Sequence, residues 1–135
     1  MFEYSNKISS EVSVEKVWLN YKDVDNWAKW DSSIEHIELS GTFKKGTTGI
    51  LKNFGMAPLE FVLTEVLEKE SFSNKSELGP FSVVFTHTIV VEKNMVTIEH
   101  GVNVDGPDKN KVQEIGNLIA SSIPDAMNKL LEISK

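Results

Sequence analysis

Two histidines, His87 and His100, are the residues of this sequence best suited to chemistry. They lie in apolar stretches that alternate with period two on either side of a turn at positions 93–94, a pattern that predicts a long hairpin from Phe81 to Val104. Counting outward from the turn places the two histidines opposite each other on an otherwise apolar face. A protein interior rarely holds two titratable rings without a partner or a use for them.

Burial and mutual repulsion predict that at least one of these imidazoles is neutral near pH 7 and able to accept a proton. His87 or His100 is therefore a candidate general base. In the structural alternative, the rings bond to each other, to Asn74 or to Ser76, or lie at a hydrated end of the sheet. Glu65 could join the two histidines as a third metal ligand only if its side chain faced inward. No spacing motif supports a metal site, so we predict that no metal is bound.

The composition excludes several classes of protein. With 135 residues and 40% hydrophobic composition, the chain fits a single domain, residues 1–135, with one core. The net charge of -6 and the scattered basic residues argue against nucleic acid or an anionic membrane as a partner. There is no cysteine, and neither a signal-like start nor an apolar run near 18 residues is found, so we expect a cytoplasmic protein. The oligomeric state stays open.

The order of predicted elements is that of an α+β domain. Phe2 to Ile8 alternates as a strand, Ser13 is suited to cap a short helix, and a helical turn spans Asp25 to Trp30. Turn-forming residues then separate further strands, so that about seven antiparallel strands are expected in all. The strands between this helical turn and the hairpin are residues 34–39, 48–54, 59–67 and 72–78.

A long amphipathic helix is predicted from about Asp108 to Ile133, long enough to cross a curved sheet. Pro124 lies inside this pattern and should bend the helix or split it near Ser121. Small residues lie on the apolar stripe, and they either leave a void against the sheet or allow close packing. They are Gly116, Ser122 and Ala126.

Five features of the chain resemble the START/polyketide cyclase superfamily (SRPBCC), which has the helix-grip fold. They are the order of the elements, the segment Val24–Asp31 with its tryptophan pair, the strand ending near Gly41, the turn at Gly46 and Gly49, and the amphipathic terminal helix. The resemblance covers essentially the whole chain. It implies a sheet wrapped around the terminal helix, with an internal pocket that relatives use to hold lipids, sterols, polyketides or plant hormones, and some use to cyclise or dehydrate a polyketide.

Within such a pocket, strand alternation would turn Asn74 and Ser76 inward, where they could orient a ligand carbonyl or hydroxyl. Hydrogen bonds to neighbours or buried water are the alternative. Trp27 and Trp30 would lie by the pocket mouth, or simply pack the short helices. The loop 53–58 would be a lid or only a hairpin end. The residues predicted to line the pocket are Trp27, Trp30, Phe54, Met56, Phe72, Asn74, Ser76, Phe85, His87, Ile98, His100, Val102, Ile115, Ile119, Ile123 and Met127.

Three functions fit the sequence. In the first, the protein binds a hydrophobic or amphipathic small molecule between the sheet and the terminal helix. In the second, it is a cyclase or dehydratase of the polyketide type that needs no cofactor and uses His87 or His100 as its base. In the third, the groove beside the long helix receives a partner polypeptide. No phosphate-binding loop, dinucleotide fingerprint or serine nucleophile motif is present, so common cofactor enzymes are disfavoured.

Overall fold

A computed structural model describes all residues from 1 to 135. Seven strands and four α-helices follow one another in the predicted order, with a short 3₁₀ turn, Val24–Asn26, before the second helix. The strands are β1 (Phe2–Ser10), β2 (Ile34–Leu39), β3 (Thr48–Asn53), β4 (Leu59–Leu67), β5 (Ser71–Leu78), β6 (Phe81–Glu92) and β7 (Met95–Asp105). The helices are α1 (Val14–Lys22), α2 (Trp27–Trp30), α3 (Lys109–Ala120) and α4 (Ile123–Ile133).

The strands form one antiparallel sheet in the order β1-β7-β6-β5-β4-β3-β2. The register of the β6–β7 hairpin is the predicted one, with His87 opposite His100. Lys93 takes a positive φ of 58° at the tight turn that sets this register. Because side chains alternate, the two imidazoles lie on the inner face of the sheet, beside buried Ile98 and Val102.

A bulge in β4 decides where Glu65 points. Leu63 is opposite Asn74 and Val66 is opposite Phe72, so two β4 residues between them share one partner on β5. Both Leu63 and Val66 therefore face inward, whereas Glu65 is exposed on the outer face. The carboxylate considered as a third metal ligand thus lies on the opposite side of the sheet from the histidines.

The terminal helix is split where Pro124 predicts a break, with α3 ending at Ala120 and α4 beginning at Ile123. Proline lacks an N–H, so it fits the first turn of α4 rather than the middle of a continuous helix. Ser122, predicted on the apolar stripe, is exposed, because it lies in the break. Gly116 allows close packing, since a Cβ there would collide with the ring of Phe2.

The two halves of the terminal helix have different neighbours. α3 lies mainly against β7 and β1, and α4 packs against α2 and β1. Aromatic side chains of α1 and α2, among them Tyr21 and Trp27, fill the space over Phe61, Phe72 and the two histidines. The inner face of the sheet is therefore covered by aromatic rings at its centre and by α3 toward one edge.

Candidate functional site

His87 and His100 lie side by side in the core, with 7% and 5% of their surface exposed. Their ring centroids are 4.7 Å apart and the rings meet edge to face. The Tyr21 hydroxyl lies 2.6 Å from Nε2 of His100. Tyr21 is not among the residues that the sequence singles out, although a buried tyrosine usually needs a hydrogen-bond partner, which is the signal that could have identified it.

The second histidine is held by the backbone rather than by a side chain. Nδ1 of His87 is 3.2 Å from the carbonyl oxygen of Phe72, and the imidazole stacks on the Phe72 ring at a centroid distance of 3.9 Å. Because a carbonyl oxygen only accepts, Nδ1 carries the proton and Nε2 is left as the acceptor. The partners of the histidines are thus Tyr21 and a backbone carbonyl, and neither Asn74 nor Ser76, which were considered as alternatives, bonds to them.

Burial keeps all three polar groups uncharged. It lowers the pKa of His87 to about 3, although the Phe72 carbonyl opposes the shift. Burial and then the neighbouring His87 lower the pKa of His100 well below its ordinary value. Burial also raises the pKa of Tyr21, which remains protonated and donates its hydroxyl hydrogen to His100. At neutral pH the three side chains form a neutral cluster, hereafter the Tyr21–His100–His87 cluster.

Replacing Tyr21 with phenylalanine should lower the free energy of unfolding by about 1–3 kcal/mol, because it leaves a buried ring nitrogen without its donor. Urea denaturation at pH 7.5 measures the loss. Tyr4→Phe is the matched control, since Tyr4 is half-buried and its change should stay within about 0.5 kcal/mol. Equal losses in the two variants would mean that the Tyr21 hydroxyl bond does not stabilise the fold.

Both tryptophans of the predicted pocket mouth lie inside the core. Trp27 donates its indole N–H to the Tyr21 carbonyl at 2.8 Å, and Trp30 donates to the Asn20 carbonyl at 3.3 Å. These carbonyls belong to the last turn of α1, where backbone acceptors lack helical partners, so the indoles fold back to satisfy them. Of the two alternatives for Trp27 and Trp30, the structure therefore shows packing of the short helices rather than a position at a pocket mouth.

Asn74 and Ser76 face inward on β5, as the alternation predicts, and both are buried. Asn74 is only 5% exposed, yet its Oδ1 has no hydrogen-bond partner. Oδ1 of Asn53, at the end of β3, is also buried without a partner, and sequence reasoning counted Asn53 only as part of a loop. Buried acceptors without partners are rare and call for an explanation.

The inner face of strands β3 to β6 is only partly covered, because α3 packs on β7 and β1, and we call this partly covered stretch beside α3 the cleft. Apolar side chains there point inward but are only half buried, as are those on the neighbouring flank of α3. The central inner face under α1 and α2, by contrast, is closed. The side chains that border the cleft are Leu51, Leu59, Leu78, Phe85, Ile115 and Ile119.

The other residues predicted to line a pocket fall into two groups. Ile98, Val102, Ile123 and Met127 belong to the buried core. Phe54 and Met56 lie at the exposed turn between β3 and β4, where Phe54 is 63% exposed. Asn74, Ser76 and Phe85 thus lie together on the inner face of β5 and β6, and Ile115 and Ile119 are half buried on α3, while the histidines lie beneath the rings of α1 and α2.

Two surface depressions lie elsewhere on the molecule. One, of about 450 Å³, lies between the β6–β7 turn and the start of α1 and includes Val12, Val91 and Lys93. The other, of about 260 Å³, lies between the end of β1 and the end of α4. Neither is lined by any of the residues that the sequence predicts to line a pocket.

Solved structures resemble this fold over nearly the whole chain. A hypothetical protein from Helicobacter pylori superposes with a TM-score of 0.83 at 17% identity, covering 99% of this chain and 88% of the other. A START superfamily protein from Mycobacterium smegmatis gives 0.77 at 10% identity, covering 98% and 96%. Norcoclaurine synthase from Thalictrum flavum gives 0.75 at 13% identity, covering 98% and 85%.

These similarities confirm the helix-grip fold that the resemblance predicts, a curved seven-stranded sheet with the terminal helices against it. No protein-family model and no curated protein matches the sequence. Every helix of this chain is too short or too polar to cross a bilayer. At these identities the likeness establishes the fold, and the function has to be argued from the residues.

Proposed function

We propose that the protein binds an amphipathic small molecule in the cleft between α3 and strands β3 to β6. The observation that carries the proposal is the buried Oδ1 of Asn74, an acceptor without a partner beside half-buried apolar side chains. Ligand sites are typically apolar with a few polar groups that fix orientation. Phe85, Ile115 and Ile119 supply the apolar surface, and Asn74 with Ser76 supplies the polar groups.

In this proposal the Tyr21–His100–His87 cluster is a rigid support beside the site. It is closed by aromatic rings on the inner face, and it is neutral at working pH. Phe72 links the histidine cluster to the cleft. Its ring stacks on His87, and it lies two residues before Asn74 on the same face of β5. A well-packed neighbour keeps the Asn74 amide in one orientation, which lowers the entropic cost of binding.

An enzyme of the cyclase or dehydratase type is the second candidate, and the fold likeness to a synthase favours it. It would use His87 or His100 as general base. Two features count against that role: a base with a pKa of about 3 is poorly matched to proton abstraction near pH 7, and Nε2 of His100 is occupied by the Tyr21 hydroxyl. Replacing both histidines should abolish turnover in an enzyme, but change affinity by less than about tenfold in a binding protein.

A neutral fluorescent probe tests the proposed site. N-phenyl-1-naphthylamine should brighten with the wild-type protein, and Ile119→Trp should weaken its binding at least about tenfold by filling the cleft. Leu118→Trp is the matched control, because Leu118 is 70% exposed on the adjacent position of α3. Absence of binding, or equal binding by both variants, would refute the proposal. Native mass spectrometry of gently purified protein would detect a retained natural ligand.

A further inference from the structure

We infer that the ligand of the cleft is uncharged and carries a hydrogen-bond donor, a hydroxyl or an N–H group, that bonds to Oδ1 of Asn74. The inference rests on the proposed function and narrows it from amphipathic molecules in general to neutral alcohols, phenols and amides. It excludes fatty acids and other anionic amphiphiles. Two independent observations lead to it, the chemistry of the unpartnered atom and the distribution of charge over the sheet.

The unpartnered atom is an acceptor. Oδ1 of Asn74 is buried on the inner face, between Leu63 of β4 and Phe85 of β6 in the sheet register. An amide oxygen in apolar surroundings loses its hydrogen bonds to water, and a donor from a bound molecule restores one. A ligand carbonyl or ether oxygen cannot do so, because neither carries a hydrogen. Ser76, two residues along the same face, can donate or accept and so adds a second contact without excluding this class.

The inner face of the sheet carries no charged side chain. All acidic residues of the strands lie on the outer face, and so do the strand lysines, Lys7, Lys52 and Lys75. The chain has no arginine, so the planar fork that binds carboxylates and phosphates is absent from the protein. A carboxylate, phosphate or ammonium group placed against this face of the sheet would be desolvated without a counter-charge from the strands, which is strongly unfavourable. Neutral donors meet no such penalty.

Three naphthalenes of similar size separate the possibilities. 2-Naphthol carries the hydroxyl donor, 2-methoxynaphthalene replaces that hydrogen with a methyl group, and 2-naphthoate carries a negative charge. Isothermal titration at pH 7.5 should give the tightest binding for 2-naphthol, weaker by about tenfold or more for the ether and weakest for the anion. Asn74→Leu should remove the preference for 2-naphthol over the ether. Asn103→Leu, the same substitution on the exposed outer face of β7, should preserve it.

Each outcome is decisive. If 2-methoxynaphthalene binds as tightly as 2-naphthol, or Asn74→Leu keeps the preference, Asn74 does not recognise a donor and the inference fails, although the cleft still binds apolar molecules. If 2-naphthoate binds best, the assignment of a neutral ligand fails in the same way. If none of the three binds and N-phenyl-1-naphthylamine does not bind either, the proposed function itself fails. A circular dichroism melt of each variant verifies that the folded protein is being compared.

Discussion

Lowering the pH from 7.5 to 4.5 should cost the protein about 2–3 kcal/mol of unfolding free energy through His87 alone. The folded-state pKa of His87 is about 3, below the ordinary value of 6.5. Between these values the unfolded chain takes up a proton that the folded protein does not, so stability falls as the pH drops, by about 1.4 kcal/mol per pH unit. About one unit or more above pH 6.5, neither state is protonated at His87 and the contribution is constant. His100 acts in the same direction, because its pKa is also lowered.

Urea denaturation across this pH range, on the wild type and on His87→Phe, isolates the effect. Phenylalanine keeps a ring stacked on Phe72 but cannot titrate. The slope of the unfolding free energy against pH should therefore decrease by about 1.4 kcal/mol per pH unit, the contribution of one proton. The control is Asn103→Leu, an exposed substitution on the outer face of β7 that removes no titratable group, so its pH dependence should match that of the wild type. Parallel curves for the wild type and His87→Phe would contradict the account of a neutral, buried imidazole.

Truncating Phe72 to alanine should destabilise the protein by about 3–5 kcal/mol, the range for large aromatic side chains in a core. Phe72 is almost fully buried, and its ring contacts those of Tyr21, Trp27 and His87. Its loss removes the surface on which the histidine cluster is packed, so the cavity term adds to the lost burial. Thermal and urea unfolding at pH 7.5 measure the change.

The comparison for that substitution is Phe54→Ala, which removes the same side chain from an exposed turn. Truncating Phe54 should lower the free energy of unfolding by less than about 0.5 kcal/mol, since most of the surface of this side chain is already in water. Similar losses in the two variants would mean that the Phe72 ring is not the centre of the packed cluster. A large loss confined to Phe72→Ala would link the stability of the fold directly to the surroundings of His87.

Local patterns were sufficient wherever period and turn chemistry decide structure. The alternation around residues 93–94 predicts the correct pairing of His87 with His100, and Pro124 predicts the break between α3 and α4. Alternation also assigns Asn74 to the inner face of β5 correctly. Each of these features depends on neighbours along the chain or directly across one hairpin. In a hairpin, a shift of the strand register by one residue would turn every side chain to the other face of the sheet.

Features that depend on distant partners were not predictable in this way. Tyr21 and His100 are 79 positions apart, and only the packing of α1 across the sheet brings the hydroxyl to the ring nitrogen. The inward turn of both tryptophans depends on unpaired carbonyls at the end of α1. Glu65 points outward because of a bulge, which interrupts the alternation and leaves no clear mark in the sequence.

The most direct test of a ligand site in the cleft is to map the binding of N-phenyl-1-naphthylamine by ¹H–¹⁵N NMR. We predict that the largest amide shifts cluster at Asn74 on β5, Phe85 on β6 and Ile119 on α3. Shifts centred instead on Val12 and Val96, beside the depression near the β6–β7 turn, would place the site elsewhere and contradict the proposal. Spectra unchanged at saturating probe would contradict it as well.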